Sequence, residues 1–106
     1  MNTISRWLCL LPMIASAAAM ADTYPKRTLV AGSMACYKAG DWREMVEASL
    51  DQDEDAASSL IVSGKCRTIS NATQVSFIED AKAIGDSALI QLPSGKTAFT
   101  ATGWLR

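Results

Sequence analysis

Cys36 and Cys66 constrain this chain more than any other feature, because a bond between them would close a loop across its middle third. The remaining cysteine, Cys9, lies in a segment that reads as a removable leader. Arg6 supplies a positive start. Trp7 to Ala19 is apolar apart from Ser16, with Pro12 breaking the run. Ala19-Met20-Ala21 then offers the small-x-small pattern of a signal-peptidase site, followed by polar Asp22-Thr23-Tyr24-Pro25. Cleavage after Ala21 is favoured over cleavage after Ala19. A membrane span needs about 20 apolar residues, and this run is shorter and ends in small side chains. Lipidation of Cys9 is not expected, since Trp7-Leu8 precede it and most of the apolar run follows it.

Residues 1–21 are therefore expected to leave as a signal peptide, and residues 22–106 to form one domain with two cysteines. Two cysteines admit one connectivity. An oxidising compartment makes that bond the default, so the expected location is periplasmic or secreted. In the chain-entropy model, closing a loop of about 30 residues contributes roughly 3–4 kcal/mol. That matters in a domain small enough to bury only about 60–65% of its unfolded surface. Metal binding is a poor use of two cysteines in a chain without histidine. Without Arg6, nine basic side chains face eleven acidic ones, a balance of −2. This lacks the basic footprint of a nucleic-acid binder. No membrane span remains after cleavage.

The pattern along the mature chain changes from helix to strand. Thr28 to Ala31 reads as a brief strand ended by Gly32. Asp41-Trp42-Arg43-Glu44 has the form of a capping box, and Trp42, Met45, Val46 and Leu50 recur on one helical face. Asp51 to Asp55 interrupts that face, with Asp53 as the expected cap of a second helix. Its buried side would be Ala56, Ala57, Leu60 and Ile61, and Gly64 ends it. From Cys66 onward the period is two. Val75 and Phe77 share one side of a strand over Thr73–Glu79. Ala88, Ile90 and Leu92 share one side of the next. Pro93-Ser94-Gly95-Lys96 supplies a turn. Lys96 to Thr102 returns, with Phe99 and Ala101 expected inward. Ser-Gly-Lys occurs at Ser63–Lys65 and again at Ser94–Lys96, too short to be a repeat. The expected fold class is α+β: two short N-terminal helices, then a small antiparallel barrel or curled sheet, joined by one disulfide.

Cys36, the helical stretch, Gly64-Lys65-Cys66-Arg67-Thr68-Ile69, Thr73-Gln74-Val75 and the closing Gly103-Trp104-Leu105 together resemble the SH3-like domains of small bacterial periplasmic proteins. The resemblance covers mainly residues 64–105. It implies an SH3-like antiparallel barrel after the helices. The chain lacks the early asparagine–arginine stretch and the internal Gly-Trp of the typical bacterial SH3 pattern. A typical peptidoglycan- or peptide-binding groove is therefore not implied.

Catalytic motifs fail one by one. Absence of histidine removes Ser-His-Asp and Cys-His arrangements, and a disulfide consumes the thiolates. Asp51, Asp53 and Asp55 imitate the opening of a calcium loop, but Ala56 and Val62 stand where it needs glycine and glutamate. Gly95-Lys96-Thr97 imitates the end of a phosphate-binding loop, but Ile90 stands at its first glycine. Asn71-Ala72-Thr73 fits a glycosylation sequon, and equally a hairpin turn. No cofactor or metal is expected.

Surface recognition remains. Tyr37, Trp42 and Trp104 are the candidate binding residues, since exposed aromatics dominate binding energies; each could equally serve the core. The expected function is that of an exported, non-enzymatic binding or accessory protein of the bacterial envelope, with a protein partner. It could be an inhibitor, an immunity-type protein or an assembly subunit. The alternative is a purely structural component of a larger envelope or secretion complex, with a carboxylate enzyme as the least expected class. Intact-mass analysis of the exported protein is expected to show Asp22 as its first residue; a mass that includes Arg6 and Cys9 would overturn the leader assignment.

Overall fold

The computed structural model describes residues 24–106, so the expected signal peptide, with Arg6, Cys9 and the expected cleavage site, lies outside the described residues. Strands β1 (Lys26–Leu29) and β2 (Met34–Cys36) lead into helices α1 (Ala39–Leu50) and α2 (Glu54–Val62). Strands β3 (Cys66–Thr68), β4 (Thr73–Asp80), β5 (Ser87–Gln91) and β6 (Thr97–Ala101) follow, and short 3-10 turns occupy Lys82–Ile84 and Thr102–Trp104. The class is α+β, but the helices are not N-terminal, because two strands precede them. Strand β2 escapes a periodicity argument because it is only three residues long.

All six strands form one antiparallel sheet in the order β1-β4-β5-β6-β2-β3. It curls into a half-barrel. One cause is a bulge between Phe77 and Glu79, where β4 slips against β5; an extra residue bends a strand and raises its twist. The last residues run along the outer side of β1, where Thr28 and Arg106 exchange backbone hydrogen bonds of 3.0 and 2.9 Å. The turn at Pro93–Lys96 forms as expected: Gly95 adopts φ +92° and the Leu92 N–H donates to the Lys96 carbonyl at 2.9 Å.

Cys36 and Cys66 are bonded, and they face each other directly across β2 and β3. The Tyr37 N–H donates to the Lys65 carbonyl at 3.1 Å. Cys36 and Cys66 therefore occupy the adjacent, non-hydrogen-bonded pair, where antiparallel backbones come closest. Both cysteines are buried. The bond closes the base of the helical hairpin, as its sequence position implies.

Strand pairing also moves the start of α1. Tyr37 is held extended by Lys65, and the chain is released only at Lys38. Lys38 is the N-cap, in extended conformation and with no side-chain cap hydrogen bond. The Trp42 N–H donates to its carbonyl at 3.0 Å. Asp41 is thus not the cap but an acid in the first turn, where it favours the helix dipole. Asp53 does cap α2, accepting from the Ala56 N–H at 3.1 Å.

Each face of the sheet carries its own apolar cluster. Inside the curl lie Leu29, Ala35, Ile69, Val75, Ala88, Ile90, Leu92 and Ala98. Between sheet and helices lie Cys36, Cys66, Trp42, Met45 and Leu60, with Phe99 and Ala101 packed against them. This corrects the inward face of β6. Ala98 and Thr100 fill the curl, while Phe99 and Ala101 turn to the helices. A strand fully buried on one side and half-buried on the other has no polar face to mark its parity. Ala56 is exposed and Leu50 is 78% exposed, so neither joins the helical core expected of them.

Replacing Cys36 and Cys66 together by alanine is expected to destabilise the domain by about 3 kcal/mol. Thermal unfolding would then fall by roughly 12–24 °C for a domain of this size. In the unaltered native protein a thiol reagent should find neither Cys36 nor Cys66.

Candidate functional site

Helix α1 meets the end of β6 and the closing 3-10 turn along one apolar groove. Met34, Trp42, Met45, Val46, Leu50 and Trp104 form most of it, and its volume is about 220 Å3. Helical spacing puts Trp42, Met45, Val46 and Leu50 on one side of α1, as the sequence predicts. The sheet beneath does not cover the whole of that side. Trp42 and Met45 are buried at the groove's floor, Val46 is half-buried, and Leu50 projects at its far end.

Trp42 and Trp104 meet here edge to face, with ring centroids 6.4 Å apart and planes at 74°. This is a favourable arrangement of aromatic quadrupoles. The two rings differ in what they can offer a partner. Trp42 is only 3% exposed, and its indole N–H donates to Ser87 Oγ at 2.7 Å. Ser87 Oγ in turn donates to the Ile84 carbonyl at 2.9 Å. With its polar atom satisfied and its ring enclosed, Trp42 is a core residue that shapes the groove from below. Trp104 is half-buried and packs against both apolar clusters. Its outer edge is open to the groove.

Tyr37 lies elsewhere, in a second and larger groove at the start of α1. Lys38, Asp41, Lys65, Lys96 and Thr97 share it, and its volume is about 790 Å3. Lys96 Nζ sits 5.4 Å from the centre of the Tyr37 ring, a cation–π contact. Both Ser-Gly-Lys segments reach this place, since Ser63, Gly64 and Lys65 line one side and Gly95 and Lys96 another. Tyr37 as a candidate binding residue and the recurrence of Ser-Gly-Lys are the sequence signals of this groove, and neither carries information about distance.

The structure thus brings Trp42 and Trp104 together and leaves Tyr37 apart from them. Met34, Val46 and Leu50 complete the apolar groove, and sequence periodicity could not separate their exposed atoms from core. Among the described residues no group of three or more His, Cys, Asp or Glu side chains could hold a metal ion. Among the same residues no helix is long and apolar enough to cross a membrane. No protein-family model, curated protein or solved structure matches the chain.

Ser87→Ala would strand the buried Trp42 indole N–H without a partner. The expected cost is about 1–3 kcal/mol of stability, read by denaturant unfolding. Val62→Ser is the comparison; Val62 is 86% exposed, and its replacement should change stability by no more than about 0.5 kcal/mol.

Proposed function

We propose that this chain is an exported, non-enzymatic binding or accessory protein of the bacterial envelope, and that it holds a protein partner in the apolar groove of α1. The observation that carries this reading is the contrast between Leu50 and its surroundings. Leu50 is 78% exposed at one end of a groove floored by Trp42 and walled by Trp104. Unlike the isolated Val62, Leu50 is continuous with an apolar recess lined by Met34, Met45, Val46 and Trp104, and it is a contiguous apolar patch that marks an interaction surface. Aromatic walls supply large contact area at low entropy cost.

Charge describes the other half of the partner. Asp51, Asp53, Glu54 and Asp55 are exposed immediately beyond Leu50. The fitting segment therefore offers an apolar side chain to the groove and basic side chains to this acidic turn. Export and a periplasmic or secreted site belong to the same reading, supported by the leader pattern and by a disulfide between Cys36 and Cys66. An SH3-like origin of the sheet is supported by its short strands, its curl and the closing Trp104. An inhibitor, an immunity-type protein or an assembly subunit each fits. A purely structural component would be better served by a broad flat apolar face than by a narrow recess, so the binder is preferred.

A photo-crosslinking side chain at Leu50 tests the reading in envelope extracts of the source cell. Crosslinks are expected from position 50, at a segment of the partner rich in Lys or Arg, and not from exposed Ala83. Leu50→Glu should weaken partner binding about tenfold or more while leaving the melting temperature within a few degrees. Equal crosslinking from both positions, or full binding by Leu50→Glu, would sink the proposal.

A further inference from the structure

The larger groove invites a separate assignment. It lies at the start of α1, whereas the apolar groove runs along the rest of that helix. Three cations reach it from three different elements. Lys38 is the N-cap residue of α1, Lys65 follows α2, and Lys96 ends the turn between β5 and β6. Asp41 is the one acidic residue among those lining the groove. A chain with more acidic than basic residues has therefore gathered a local excess of two positive charges. Such charges repel one another, and an anion placed between them relieves the repulsion.

The arrangement is held in place by the fold. Gly64 and Gly95 turn the two loops at φ +80° and +92°, a conformation costly for other residues. Neither would bring an added methyl group within 4 Å of another atom, so the groove stays open above them. The Lys65 N–H donates to the Leu60 carbonyl at 3.1 Å, and the Lys65 carbonyl accepts from Tyr37. The Cys36–Cys66 bond lies directly beside that pair. Lys96 is steered over the Tyr37 ring. The cations thus sit on braced backbone before any ligand arrives.

Size and charge type narrow the ligand. A volume of about 790 Å3 is in the range of organic-ligand sites and exceeds the need of a single inorganic ion. Lysine ammoniums are separate point charges, and here they come from three different elements, so they match several anionic groups spaced along a ligand better than one compact anion. They suit carboxylates spaced along a chain. We infer that this groove binds an acidic peptide segment, with two or more carboxylates set against Lys38, Lys65 and Lys96.

The test titrates the disulfide-bonded protein into N-acetylated, fluorophore-labelled tetraglutamate at low salt and follows anisotropy. Saturable binding is expected, weakening about tenfold or more when salt rises from roughly 0.02 to 0.2 M. Lys38→Gln, Lys65→Gln and Lys96→Gln combined should weaken it at least about tenfold, and the three Lys→Arg replacements should retain it. Lys82→Gln with Arg106→Gln, outside the groove, should leave it within about twofold. If the triple glutamine variant melts early, Lys65→Gln and Lys96→Gln taken singly should each weaken binding about threefold. Absence of binding, or equal losses in the groove and control variants, would overturn the inference. So would saturable binding of inorganic pyrophosphate with none of the peptide. Leu50→Glu should bind tetraglutamate normally, so failure here and failure of the apolar groove are told apart.

Discussion

The pairing of Cys36 with Cys66 is the constraint on which the rest of the molecule depends. A three-residue strand on each side would make a weak ladder alone. Bonded at the position where antiparallel backbones approach most closely, the two strands become a fixed base for the helical hairpin. That base decides where α1 starts, because the chain stays extended through Tyr37 and turns helical only once released. The start of α1 then decides which side chains meet the sheet. Trp42, Met45 and Leu60 complete a cluster around the buried sulfurs. Both candidate grooves take their shape from this base: the apolar one from the line of α1, the basic one from the loops beside the bond.

Much of the architecture was legible from residue pattern. The two helices, the turn at Pro93–Lys96, the inward run of Ala88, Ile90 and Leu92, and the capping role of Asp53 all follow from periodicity and turn chemistry. What was not legible has a common physical cause. Strand β2 is too short to display a period, so the helices read as nearer the N-terminus than they are. Strand β6 is covered on both sides, so Phe99 and Ala101 look as inward as Ala98 and Thr100. Asp41 and Glu44 form a capping pattern, yet tertiary pairing of Tyr37 with Lys65 sets an earlier helix start. Local signals lost wherever a long-range strand contact reached the same residue.

The candidate sites follow the same division. Trp42 and Trp104 were visible as aromatic residues, but their roles depend on geometry. One is sealed by Ser87 and the other is left half open. Leu50 lies on the apolar face of α1 by spacing alone, and only the fold shows that the sheet leaves it uncovered. The three lysines of the second groove are scattered along the chain, Lys38 and Lys96 standing 58 positions apart. No spacing rule connects them, because the fold joins them through two separate turns.

Trp104 has a further consequence. It packs against the cluster inside the curl and against the cluster beneath the helices, and the carbonyl of the same residue accepts from the Val30 N–H at 3.1 Å. Two cores this small would each be poorly stable alone. A single indole shared between them makes loosening of either one a disturbance of the other. The shared indole thereby couples the half-barrel to its helical cover, which favours loss of both together over early loss of the hairpin.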